Sequence, residues 1–166
     1  MGKYHLRIGK GKLFSSFPFT NTTRQRLTFK ILHMSISIIQ AQRMAEAAKD
    51  KANEIGVPMN IAVVDEGANT KLFIRMDNAL LGSSDIALKK ARTSSLLEMN
   101  SGDAGKQSQP GGPLYGIEET NGGLVTFPGG IVIKDGEGKL IGAIGVSGGT
   151  VEQDFAVAAS GAAAFD

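Results

Sequence analysis

Two pairs of short apolar runs, each joined by a turn rich in aspartate and glycine, limit this chain to antiparallel strand pairing. Asn60–Val64 and Lys71–Met76 flank Asp65-Glu66-Gly67-Ala68-Asn69, and Ile131–Lys134 and Leu140–Val146 flank Asp135-Gly136-Glu137-Gly138. Turn formers between apolar runs specify hairpins, and hairpin partners run antiparallel. A further run, Gly123–Phe127, precedes the second hairpin and predicts a three-stranded meander, for five strands in total. The hairpins are separated by helical patterns, so the class is α+β and not a doubly wound parallel sheet.

Three helices are expected. Ser37 caps the first, Ile38–Ile55, whose apolar stripe is Ile38, Ala41, Ala45, Ala48 and Ala52; Gly56 and Pro58 end it. The second spans Ser84–Met99, with Ile86, Ala87, Ala91, Leu96 and Leu97 as buried positions and Asp85 four residues ahead of Lys89. Asn100–Gly112 reads as a long Gly/Ser/Gln/Pro loop of the kind that often binds or covers a ligand, and Leu114–Glu119 as a helical turn. Thr150-Val151-Glu152-Gln153 is a capping box opening an Ala-rich helix to about Phe165. No internal repeat is present.

The N-terminal 34 residues differ in kind. They hold seven basic residues and no acid, so their +7 leaves −5 on the remainder of a chain whose total is +2. The expected domains are therefore a basic extension, 1–34, and a folded domain, 35–166. The extension reads as residues upstream of a start at Met34, as an organelle transit peptide, or as a basic arm for an acidic surface. A cytoplasmic location follows from the first reading and a mitochondrial one from the second. The mildly acidic domain argues against a nucleic-acid partner, and no apolar run approaches the roughly 20 residues that span a membrane.

The chain has no cysteine, and its only histidines, His5 and His33, lie in the extension. Thiolate catalysis and cysteine-ligated metals are thereby excluded, and no metal site is expected. Gly145-Val146-Ser147-Gly148-Gly149 matches a nucleophile elbow. The motif fails because a serine needs a base and no histidine follows residue 33. The amides of Gly148 and Gly149 precede a helix N-terminus, where an anion or water could dock. Asp77 and Asp154 could form a carboxylate pair, though single carboxylates are more often caps or exposed groups. Arg75 and Lys90 could hold an anionic ligand, though surface solvation is the commoner role of either alone. Met76 and Met99 read as core fillers, and Phe127-Pro128-Gly129-Gly130 as a turn or a pocket rim.

Several segments together resemble the GlcG/HbpS family. They are Val64-Asp65, Arg75-Met76-Asp77, Asp85-Ile86-Ala87, Lys90-Ala91, Phe127-Pro128-Gly129-Gly130 and Ile141–Gly149 leading to Gln153-Asp154. Pro110–Gly116 and Gly148–Asp154 resemble the stand-alone OrfY/DhaG-like branch found near glycerol and diol metabolism genes. The family includes haem-binding proteins and the C-terminal domain of PduO-type cobalamin adenosyltransferases. The resemblance spans 35–166 and implies a profilin-like α/β/α arrangement around a five-stranded antiparallel sheet. It also implies homo-oligomers and a ligand site falling on Arg75, Asp77, Lys90, Phe127, Gly129, Gly130 and Gly148. Pro128 departs from the glycine that relatives commonly carry there, which fixes φ and removes an N–H. For haem iron the domain offers only Tyr115 and methionines such as Met44, Met59 and Met99, with His33 just outside it. The leading expectation is a small-molecule-binding protein with haem or a related tetrapyrrole as ligand. The alternatives are an accessory enzyme of glycolate, glycerol, diol or cobalamin metabolism, with Asp77 and Lys90 as an acid–base pair, and a homo-oligomeric scaffold.

Overall fold

A computed structural model describes residues 35–165. The basic extension, with His5 and His33, lies outside the described residues. Helix α1 (Ile38–Glu54) leads to strands β1 (Asn60–Asp65) and β2 (Thr70–Arg75), then to α2 (Ser83–Leu97) and the short α3 (Ser101–Gln107). A 3-10 turn at Ile117–Glu119 precedes β3 (Gly130–Lys134), β4 (Leu140–Ser147) and α4 (Val151–Ala163).

The strands form one antiparallel sheet in the order β2-β1-β4-β3, with four members and not five. Both hairpins form where the turn residues place them. In each, the leading aspartate takes two backbone N–H groups on one oxygen: Asp65 Oδ1 accepts from Gly67 and Asn69, and Asp135 Oδ1 from Glu137 and Lys139. The missing strand is Gly123–Phe127. Its backbone is engaged elsewhere, because Val125 N donates to the Thr93 hydroxyl at 3.0 Å and Leu124 N to the Glu118 carbonyl at 2.9 Å. Asn100–Gly112, expected as loop, opens with α3. The α3 segment is tied to the sheet edge by polar side chains: Asn100 Oδ1 accepts from Val132 N, and Ser101 Oγ accepts from Gly130 N and donates to the Phe127 carbonyl.

Alternation along β1 and β4 gives the sheet two unlike faces. Ile61, Val63, Ile144 and Val146 point towards α1 and α4, joining Met44, Met59, Val157 and the α1 alanines in one apolar core. Both helices carry capping boxes, Ser37/Gln40 and Thr150/Gln153. Here the expected α1 stripe is corrected at its first member: Ile38 is half exposed, and Met44 is buried instead. The opposite face carries Ala62, Val64, Ala143 and Gly145 beneath α2. A Cβ on Gly145 would lie 2.2 Å from the Ala87 carbonyl oxygen and 2.4 Å from Ala91 N, so α2 rests directly on the β4 backbone. The α2 inward face is largely polar where the sequence suggested Ile86, Ala87, Ala91, Leu96 and Leu97. Lys90, Thr93, Ser94 and Ser95 are buried with Ala87 and Ala91, whereas Leu96 is exposed. Among the described residues no helix is long and apolar enough to cross a membrane.

Candidate functional site

Lys90 stands on that polar face and is fully buried, which corrects the surface role expected of a lone lysine. Its Nζ donates to Asp154 Oδ2 at 2.6 Å and to the Val146 carbonyl at 3.0 Å, and lies 4.8 Å from the centre of the Phe127 ring. Asp154 is buried in the first turn of α4, and it too departs from the cap or exposed group expected. Its second oxygen, Oδ1, accepts from Gly148 N at 3.0 Å and Gly149 N at 2.9 Å. The amides marked by the sequence as an anion dock therefore hold an anion of the chain itself. The reason is local: six residues separate Gly148 from Asp154, and the first turn of α4 returns the carboxylate to the positive end of its own helix.

Two buried charges are expensive to desolvate, and such a pair is retained only with good geometry and further hydrogen bonds. Every polar contact here supplies one: a carbonyl for the ammonium, two amides for the carboxylate. Burial holds the Lys90 amine below its ordinary range, opposed by its hydrogen bond and charge attraction to Asp154. The turn at Phe127–Gly130 closes over the pair. Gly129 has φ +120°, and a Cβ there would sit 2.7 Å from both Lys90 Nζ and the Val146 carbonyl oxygen. Only glycine permits this approach.

The pair fixes α4 against that turn and so shapes a cleft of about 470 Å³ on the molecular surface. Asp154, Val157, Ala158 and Gly161 face inward from α4. Val151 and Phe155, four residues apart, face outward at 38% and 46% exposure and form the apolar wall with Pro128. The opposing wall is the start of α3, from Asn100 and Gly102 to Asp103 and Lys106. Lys106 Nζ lies 2.8 Å from Asp103 Oδ1, and Glu152 is kept ionised below the usual carboxylate range by the Thr150 hydroxyl.

Lys90, Phe127, Gly129, Gly130 and Gly148 are thus gathered around one buried pair, while Arg75 and Asp77 are not. Both are exposed and line a different cleft, of about 530 Å³, with Lys49, Asn53, Pro58 and Met76. Arg75 Nη2 is 3.3 Å from the Ala79 carbonyl. Asp154 meets Lys90, so neither an Asp77–Asp154 carboxylate pair nor an Asp77–Lys90 acid–base pair is assembled. Ser147, centre of the failed elbow motif, is buried. Of the iron-ligand candidates, Met44 and Met59 are sealed in the apolar core, Tyr115 is exposed away from the cleft lining, and Met99 Sδ faces Gln107 Nε2. Among the described residues, no group of three or more histidine, cysteine or carboxylate side chains could hold a metal ion. Val151 and Phe155 went unmarked in the sequence, whereas Asn100, Gly102, Asp103 and Lys106 fall in the segment read as one that often binds or covers a ligand. The signal was available for the first two, since Val151 and Phe155 fall off the inward stripe of α4.

Comparison with known proteins bears on what this arrangement serves. The chain is 48% identical over 122 residues to an uncharacterized 15.0 kDa protein in the dhaT–dhaS intergenic region of Citrobacter freundii, covering 72% of this chain and 84% of that protein. The crystal structure of Klebsiella pneumoniae protein ORFY superposes with a TM-score of 0.75 at 43% identity, over 78% of this chain and 90% of that one. A PduOC–haem complex superposes with the same TM-score at 37% identity, over 78% and 94%. The family described as haem degrading protein HbpS-like matches residues 36–163. The chain belongs to this HbpS-like family.

Proposed function

We propose that this protein binds a flat, largely apolar small molecule, a tetrapyrrole of the haem type, in the cleft between α3 and α4. The observation that carries the reading is an outward apolar wall, Pro128, Val151 and Phe155, on elements that the buried Lys90–Asp154 pair holds in fixed relation. Ligand clefts are typically several hundred Å³, with apolar walls and few polar groups, and this one is of that size. The PduOC–haem complex supports the choice of ligand, being a relative of the same fold with haem bound.

Lys90, Phe127, Gly129, Gly130 and Gly148 gather around the buried pair behind that wall and do not line the cleft themselves. Arg75 and Asp77 line a separate cleft, whose walls also include Ala52, Val57, Pro58, Ile74 and Met76. Among the described residues no histidine, cysteine, methionine or tyrosine lines the α3/α4 cleft, so its lining suits the ring of a tetrapyrrole and not its metal. Haem when bound brings an iron centre capable of redox chemistry, while this chain's residues supply the apolar face for its ring. Homo-oligomers fit the exposed apolar residues Ile39, Leu80 and Leu81.

Titrating haem into the full chain tests the reading. A saturable Soret shift at micromolar protein, weakened about tenfold by Phe155→Ala, is expected for loss of one aromatic wall. Absence of any shift contradicts it.

A further inference from the structure

The lining of the α3/α4 cleft separates two things that a haem protein usually combines: a face for the ring and a ligand for the iron. The ring's face is present, built from Pro128, Val151 and Phe155. Among the described residues, no histidine, cysteine, methionine or tyrosine lines it. Met44 and Met59 are fully buried in the apolar core between the sheet and helices α1 and α4. Lys90, the one amine directed at the turn beneath Phe127, is fully buried and hydrogen-bonded to Asp154 and the Val146 carbonyl. The two cleft carboxylates are weak candidates as well. Asp103 is paired with Lys106, and the Thr150 hydroxyl holds the Glu152 carboxyl below the usual carboxylate range.

We infer that the cleft recognises the tetrapyrrole ring and not its metal, so that iron-free porphyrin binds about as well as haem. The inference rests on the reading of the cleft given above and extends it to the ligand class. Binding driven by apolar area and aromatic contact depends on the flat ring, which the two molecules share. An axial bond would add a contribution that only the metal-containing ligand could make.

The test compares haem with iron-free protoporphyrin IX on the full chain, by absorbance and by porphyrin fluorescence respectively, for wild type, Phe155→Ala and His33→Ala. The expected result is Kd values within about tenfold of each other, both raised by the same factor in Phe155→Ala and neither altered in His33→Ala. Haem binding more than about 100-fold tighter than porphyrin would overturn the inference while leaving the cleft reading intact. Loss of that difference in His33→Ala would then identify the ligand. If neither molecule binds, or if Phe155→Ala changes neither, the cleft reading itself fails and the inference with it. Phe155 is half exposed, so a thermal melt of Phe155→Ala near that of wild type separates lost binding from lost folding.

Discussion

The two faces of the sheet are packed by opposite means. Under α1 and α4 the contact is large and apolar, with Met44, Ile61, Ile144 and Val146 interlocked. Under α2 the apolar cluster is mostly small residues, Ala62, Val64, Ala91 and Ala143, and the buried remainder is hydroxyls and one ion pair. The apolar face is stabilised by area, which tolerates small changes of shape. The polar face depends on directed bonds, which fix the Phe127–Gly130 turn, α3 and the start of α4 in relation to one another. The α3/α4 cleft sits at the margin of that second face. A binding wall needs position more than it needs bulk.

The difference is sharpest where backbone meets backbone. Gly145→Val is expected to prevent stable folding, because its side chain would enter the α2 main chain and no rotamer relieves the clash; circular dichroism of the purified variant checks it. Asp154→Ala comes next. It leaves Lys90 buried without its counter-charge and strips Gly148 and Gly149 N–H of their acceptor, for a loss of about 3–5 kcal/mol in chemical denaturation. On the apolar face, Ile144→Val removes one methylene and should cost about 1 kcal/mol. A cost there equal to that of Asp154→Ala would erase the contrast between the faces.

Titration supplies a smaller effect of known sign. Lys90 is held below its ordinary value in the folded chain, so between that lowered pKa and 10.5 the unfolded chain binds more protons than the folded one. Stability from this group therefore rises with pH across that window and is lost as pH falls through the folded pKa. Denaturation from pH 8 to 10 should show wild type gaining on Lys90→Met as pH rises; a flat difference would mean that burial does not shift the amine. The smallest effect expected is at Ser94, whose buried hydroxyl has no hydrogen-bond partner. Ser94→Ala should change stability by under about 1 kcal/mol, in the stabilising direction, because it removes an unsatisfied group.

The apolar face was legible in the sequence and the polar face was not. The apolar runs of β1 and β4, the capping residues Ser37 and Thr150, and the turn aspartates Asp65 and Asp135 are local signals, and the structure follows them. Gly123–Phe127 misled because its apolar residues suit a strand, while its N–H groups go to Thr93 and Glu118, a choice made at a distance of up to 32 residues. Lys90 misled for the same reason. Its partner Asp154 lies 64 residues away, and nothing near Lys90 announces a buried ammonium. The resemblance did place Lys90, Phe127, Gly129, Gly130 and Gly148 in one site, but it put Arg75 and Asp77 there too. Position along a motif does not distinguish two clefts on one small domain.

Amide chemical-shift mapping of the full chain with zinc protoporphyrin, a diamagnetic flat ring, separates those two clefts directly. Saturable shifts are expected at Gly102, Gly129, Val151 and Phe155, with Arg75 and Asp77 unmoved. Shifts confined to Arg75, Asp77 and their neighbours would contradict binding in the α3/α4 cleft.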